Sequence, residues 1–267
     1  MAGAEPFSFS GRGEVGVLLV HGFTGTPFEV RPLGEHLAGQ DIASSGVLLR
    51  GHGTHPNDML GCRYQDWIDD AEAGLEELLR TNRGVVLVGF SMGGTIALNI
   101  AARRADDARI LGVVAICSPL RLVDWRLGFV QVLRRLIRWQ AWGKPDIKDR
   151  TAWERHVAYR RFRTDTVPQL LGLLRDTRAA LPRVRHPLLV IQSREDNVVP
   201  PLNAGLIVGS VGSDVKRLVW LDNCYHMVTL DYAASTVLAE VSRFIAELHG
   251  PRGAAATPSD RGLTMPR

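Results

Sequence analysis

Ser91 stands at the centre of Gly89-Phe90-Ser91-Met92-Gly93, a G-x-S-x-G pattern. The apolar run Val85 to Val88 precedes it and small, helix-compatible residues follow it. This order predicts a strand, a sharp turn with the serine at its apex, and a helix. Residues two positions either side of the apex must be small, because the turn is tight and strained. The following helix would set its N-terminal N–H groups beside the hydroxyl. A serine hydroxyl is a weak nucleophile at neutral pH. It needs a base, and the base needs an acceptor that fixes its tautomer and stabilises its charged form. In this architecture the partners follow in the order Ser, Asp or Glu, His.

Asp196 and His226 meet that order. Each lies just beyond an apolar run late in the chain, so both are expected at the same sheet edge as Ser91. Asp222 also follows a run, but it shares a loop with His226 and is expected to cap that loop. Of the eight histidines, only His226 sits in a loop after a strand that follows the acid. The chemistry of such a set is acyl transfer, which also needs donors for a developing oxyanion. The backbone N–H of Met92, directly after the serine, is one. Phe23, in the Gly-rich loop His21-Gly22-Phe23-Thr24-Gly25, is expected to supply the other. His21 is expected to organise that loop by hydrogen bonding. His52 and His55 have a spacing that could suit a metal, but no third ligand accompanies them and Gly51 and Gly53 point to a tight loop. No metal is expected there. Cys117 and Cys224 lack the electropositive setting of a reactive thiol.

The elements that would position these residues alternate. An edge strand is expected near Phe7 and Phe9, then strands at Val15–Val20, Ile42–Leu49, Val85–Phe90 and Ile110–Cys117. Helices separate the last four: Phe28–Gly39, Asp66–Arg80 and Met92–Arg104. The β-α-β-α-β-α-β order predicts a mostly parallel sheet covered by helices on both faces. The alternation stops at Ser118-Pro119. Residues 119–185 show no convincing strand. Val130, Leu133, Leu136 and Ile137 share one helical face, and Val167–Leu181 is a second amphipathic helix. The segment is read as a helical cap inserted in a core formed by residues 1–118 and 186–249. Strand, helix and strand then resume at Pro187–Gln192, Leu202–Val211 and Val215–Leu221, and Tyr232–Leu248 closes the fold. Residues 250–267 have little to bury and are expected to be a disordered tail.

The motifs together resemble the α/β-hydrolase superfamily and, more narrowly, the bacterial monoacylglycerol lipases and related small carboxylesterases. They are His21-Gly22-Phe23-Thr24-Gly25-Thr26-Pro27, Gly51-His52-Gly53-Thr54-His55, the serine elbow with Gly94, Glu195-Asp196 with Val198-Val199-Pro200-Pro201, and Tyr225-His226 leading into Thr229-Leu230-Asp231-Tyr232. The resemblance spans most of residues 15–247. It implies Ser91, Asp196 and His226 as a triad and the Phe23 and Met92 amides as the oxyanion hole. It further implies cofactor-free hydrolysis of monoacylglycerols or other short-to-medium acyl esters. General carboxylesterase activity, C–C bond hydrolysis and acyl transfer use the same fold and triad. Dehalogenases and epoxide hydrolases need a carboxylate where Ser91 stands. A non-catalytic ligand receptor would not need the intact set.

At 267 residues the chain suits one large α/β domain with an insertion. No window reaches the roughly 20 apolar residues of a membrane helix, and the first residues lack the pattern of a signal peptide. Three widely spread cysteines fit a reducing cytoplasm. Net charge is +4, but residues 121–185 hold 16 basic and 6 acidic side chains, leaving 16 and 22 elsewhere. A region of +10 is thus set on a body of −6. Four of the six tryptophans are there too, among them Trp125. Such a cap would suit transient contact with an anionic membrane surface. The plainer expectation is a solvated outer face over an apolar site. No nucleic-acid-binding motif accompanies the charge.

Overall fold

The computed structural model describes residues 1–122 and 137–249. Its centre is a seven-stranded sheet in the order β1-β3-β2-β4-β5-β8-β9. The strands are β1 (Phe7–Phe9), β2 (Val15–Val20), β3 (Ala43–Val47), β4 (Gly84–Phe90), β5 (Ile110–Ile116), β8 (Leu188–Ser193) and β9 (Lys216–Leu221). All neighbours pair in parallel except edge strand β1, which runs antiparallel to β3. Residues Val15–Val20, Gly84–Phe90 and Leu188–Ser193 are buried throughout. That is why these runs read as unbroken apolar stretches rather than as alternating ones: both faces of a parallel sheet are covered.

Successive side chains divide between two core layers. Leu18, Leu87, Val113 and Val190 face a layer with Trp67 and Leu75 of helix α2 (Tyr64–Thr81), Ile96 and Ile100 of α3 (Met92–Arg103) and Leu173 of α5 (Val167–Ala180). Val17, Leu19, Val88 and Ile191 face the other, with Leu33 and Leu37 of α1 (Arg31–Ala38) and Val237, Val241 and Phe244 of α7 (Ala234–His249). Helix α6 (Leu202–Ser210) packs its Ala204 and Ile207 in the first layer, between β8 and β9.

Pairing in register aligns the strand ends. Val20 lies beside Gly89, Phe90 beside Ile116 and Ser193 beside Leu221. From β2 the chain goes out to β3 on one side and returns to β4 on the other, so the order reverses between β2 and β4. In open α/β sheets ligands bind at such a switch point, outside the carboxyl ends of the strands.

Several elements differ from the sequence expectation. Helix α1 begins only at Arg31, after a 3-10 turn at Pro27–Glu29. Between β5 and β8 a two-stranded antiparallel ribbon forms, β6 (Trp139–Ala141) with β7 (Arg161–Arg163), where no strand was expected. Three-residue strands rich in Trp and Arg carry no period long enough to tell them from helix or loop. A short helix, α4 (Arg150–Arg155), is held at its start by the Asp149 carboxylate accepting the Thr151 N–H. Trp125, Val130, Leu133 and Leu136 and the tail 250–267 lie outside the described residues.

Candidate active site

Strand β4 delivers Ser91 into a turn at φ 53°, ψ −122°, a region that L side chains rarely adopt and that costs of order 1–3 kcal/mol. The local packing explains the motif. A Cβ on Gly93 would collide with the Val20 carbonyl, and one on Gly89 with the Gly93 backbone. Gly93 must be glycine for the elbow to sit against β2, and Gly89 for the elbow to close on itself. The Ser91 N–H donates to the Ile116 carbonyl at 2.8 Å, which ties the turn to β5. Helix α3 then starts at Met92, directly after the serine.

The structure brings the three residues chosen from sequence into one hydrogen-bonded chain. Ser91 Oγ lies 3.1 Å from His226 Nε2, and His226 Nδ1 lies 2.8 Å from Asp196 Oδ2. With Nδ1–H donating to the carboxylate, Nε2 is left to accept the serine proton. All three are buried. The remaining capacity of Asp196 is used as well. Its Oδ1 accepts the N–H groups of Val198 (2.9 Å) and Val199 (2.7 Å), and Oδ2 also accepts from Gln192 Nε2 at 3.0 Å. Asp222, the other acid considered, lies on the surface in an ion pair with Arg194.

Electrostatics tune the pair. Burial alone would pull His226 down, but the charge and hydrogen bond of Asp196, with Asp146 and Glu29 further off, outweigh it and raise the imidazole above its ordinary value. Burial pushes Asp196 up, yet His226 and the two backbone N–H groups hold it below the usual carboxylate value. Cys117 Sγ, at the end of β5, is within 4.8 Å of ligand-type atoms of Asp196 and His226. Burial drives its thiol well above the ordinary value. That is the setting of an inert buried thiol rather than of a reactive one.

Other sequence candidates have local roles. His21 donates from Nδ1 to the Gly22 carbonyl (2.9 Å) and accepts the Leu49 N–H on Nε2 (3.2 Å). Burial and the neighbouring His52 keep it neutral. His52, pulled down to about 4 by burial, donates to the Arg50 carbonyl and stacks on Tyr159. His55 caps the turn that follows it by accepting the Asn57 N–H. Phe23 and Met92 both line the cavity beside Ser91, and among the described residues no hydrogen bond from either backbone N–H to another protein group outside the helices and strands is found.

That cavity holds about 330 Å³, within the range of small-molecule sites. It is lined by Ser91, His226 and Phe23. Between β5 and β8, its lining includes Trp142, Asp146, His156, Tyr159 and Leu170. Sequence reading missed the polar residues that hold this arrangement. Asp146 accepts the N–H of His226 (3.0 Å) and both nitrogens of Asn197. Asp231 accepts four backbone N–H groups, from Lys148, Asp149, Tyr225 and Tyr232. Glu29 is buried and accepts the Gly22 N–H of the loop that carries Phe23. Only Asp231 sat in a motif that could have flagged it.

Residues 14–233 match the family model described as serine aminopeptidase S33. The chain belongs to this family. It is 36% identical to the thermostable monoacylglycerol lipase of Bacillus sp. strain H-257, covering 94% of this chain and 97% of that one. It is 27% identical to a carboxylesterase of Bacillus subtilis strain 168, over 91% and 97%. Among solved structures, one described with the metagenome-derived lipolytic enzymes LipS and LipT superposes with a TM-score of 0.87 at 33% identity, over 92% of this chain and 99% of that one. The α/β-hydrolase fold expected from the motifs is therefore the fold of this family member.

Proposed function

We propose that this protein hydrolyses monoacylglycerols, or other short-to-medium acyl esters, through an acyl-enzyme on Ser91. The reaction class is that of a serine hydrolase of carboxylic esters, in keeping with the family and with lipase and carboxylesterase relatives that match along nearly their whole length. The observation that carries the reading is the buried chain Ser91–His226–Asp196 opening onto a cavity beside two unengaged amides.

Mechanistically, His226 takes the Ser91 proton as Oγ attacks the ester carbonyl. Asp196 stabilises the imidazolium, and the amides of Phe23 and Met92 receive the oxyanion. The imidazolium then protonates the departing alcohol. Water, deprotonated by the same imidazole, cleaves the acyl-enzyme. Residues 119–185 are proposed as the cap, of which Trp142, His156, Tyr159 and Leu170 line the cavity. Steady-state hydrolysis across esters of increasing acyl length, with mono-, di- and triacylglycerols, tests the reading. Turnover of monoacylglycerols by the wild type, with a loss of at least ~1,000-fold in Ser91→Ala, is the expected result. Cleavage of small activated esters alone would move the substrate to that of a general carboxylesterase.

A second reading concerns delivery of substrate. Arg161 and Arg163 stand over the Trp139 ring at 4.6 and 5.4 Å, and Ile137 and Trp142 are exposed beside them. A cationic, aromatic ribbon next to the cavity supports transient docking on anionic lipid. Sedimentation with anionic and neutral vesicles at two salt concentrations tests it, and equal binding to both vesicle types would end it. Among the described residues no helix is long and apolar enough to cross a membrane.

A further inference from the structure

The loop that carries Phe23 is held largely from outside the core. Thr24 adopts φ 63°, a conformation that costs a non-glycine residue about 1–2 kcal/mol. Contacts from the segment between β5 and β8 compensate. The Trp142 indole N–H donates to Thr24 Oγ1 at 2.8 Å, and the Tyr159 N–H donates to the Thr24 carbonyl at 3.0 Å. Thr26 Oγ1 donates to the Val157 carbonyl at 2.7 Å.

At the end of the 3-10 turn that follows the loop lies Glu29, only 3% exposed. Its Oε2 accepts the Gly22 N–H at 2.8 Å, and its Oε1 stands 3.4 Å from His156 Nε2 in that segment. Among the described residues no Lys or Arg pairs with it. The carboxylate fills the space that a side chain at Gly25 would need. A Cβ on Gly22 would lie 3.2 Å from both Glu29 Oε2 and Ser91 Cβ. A buried carboxylate is thus packed into the turn that presents the Phe23 amide, a short distance from the serine. Burying a charge is costly, and a negative charge near a developing oxyanion opposes the reaction. Its charge adds a little to the basicity of His226, far behind Asp196. What Glu29 supplies beyond that is geometry.

We propose, on the reading of Ser91, Phe23 and Met92 given above, that Glu29 is a positioning residue: its carboxylate, braced by His156, fixes the Gly22–Gly25 turn and so aims the Phe23 amide at the oxyanion. A backbone donor has no side chain to correct its direction, so its usefulness depends on how firmly the turn is held. Removing one oxyanion donor typically lowers the rate ~100- to 1,000-fold. A loosened donor should lower it less.

The test compares wild type, Glu29→Ala, Glu29→Gln and His156→Ala, with Ser91→Ala beside them. The readouts are kcat and KM on one short-chain nitrophenyl ester, affinity for an alkylboronic acid that forms a tetrahedral adduct at Ser91, and thermal unfolding. Glu29→Ala is expected to lose about 10- to 100-fold in kcat, with KM within about threefold and boronate affinity falling in step with kcat. Glu29→Gln keeps an acceptor for Gly22 without the charge and should recover activity to within about threefold of wild type. His156→Ala should lose about three- to tenfold in kcat. Unchanged kcat in folded Glu29→Ala, equal losses in the Gln and Ala variants, or a rise in KM alone would each overturn the proposal. If Glu29→Ala does not fold, His156→Ala decides by the same readouts, and unchanged kcat with unchanged boronate affinity overturns it. Activity surviving in Ser91→Ala would instead overturn the reading of the site itself.

Discussion

The Asp146 carboxylate accepts the backbone N–H of His226 at 3.0 Å and, from Asn197, both the backbone N–H and the side-chain amide. One residue from the segment between β5 and β8 therefore clips together the two loops that carry Asp196 and His226. Asp146→Ala leaves three donors without this acceptor in a partly open site. The expected cost is about 1–2 kcal/mol of stability and roughly tenfold in kcat/KM, since the His226 loop loses its register. Asp146→Asn keeps one acceptor oxygen and should fall between Ala and wild type. Denaturant unfolding and ester kinetics on the three proteins check this, and an Ala variant with wild-type kinetics would contradict it.

The raised basicity of His226 fixes the sign of a pH profile. Only the neutral imidazole can take the Ser91 proton. Activity must therefore rise with pH through the His226 pKa, and the acidic limb of kcat/KM should have its midpoint above the ordinary histidine value of about 6.5. Asp196→Asn removes the main opposing charge while burial remains. The limb should then move to lower pH, and the rate should fall ~1,000-fold or more because the tautomer is no longer held. A limb that stays in place in the variant would disconnect it from His226.

Gly93 offers a test of packing rather than chemistry. A Cβ there meets the Val20 carbonyl, which belongs to a central strand and cannot move aside. Gly93→Ala should cost about 1–3 kcal/mol. It should also displace the Ser91 turn from β2, lowering kcat even in the folded fraction. Gly205, with open space around its Cα, is the control: Gly205→Ala in helix α6 should be neutral or stabilising by up to about 1 kcal/mol. Calorimetric melting of both variants distinguishes the two sites.

Backbone strain at Ser91 predicts that stability and activity trade against each other. The turn costs of order 1–3 kcal/mol, which glycine would avoid at an unfolded-state cost of about 0.5–1 kcal/mol. Ser91→Gly should thus be about 1 kcal/mol more stable than Ser91→Ala, with both inactive. Equal unfolding midpoints would mean that the rest of the structure absorbs the turn without strain.

What was legible in the sequence was what is local. The runs at Val15–Val20, Val85–Val88 and Ile110–Ile116 read as buried strands because parallel sheets bury both faces. Ser91, Asp196 and His226 could be chosen because each follows such a run. What was not legible depends on partners far away in the chain. Glu29 reads as an ordinary acid in the first turn of a helix, and nothing within ten residues hints that His156 lies opposite it. Asp146 stands 80 positions before His226, its backbone partner. The β6–β7 ribbon escaped notice because Trp139 and Arg163 are held by pairing across more than twenty residues, not by periodicity.

The links from Asp146 to His226 and from Trp142, His156 and Tyr159 to the Phe23 loop have a consequence for engineering. The segment between β5 and β8 is not an exchangeable part. On the proposed mechanism, a graft of residues 137–185 from a relative, made to change which ester is accepted, would import its own settings for the base and the oxyanion donor. Substrate range and catalytic power would then change together, and chimaeras should be judged on turnover of a minimal ester before any shift in preference is credited to the shape of the pocket.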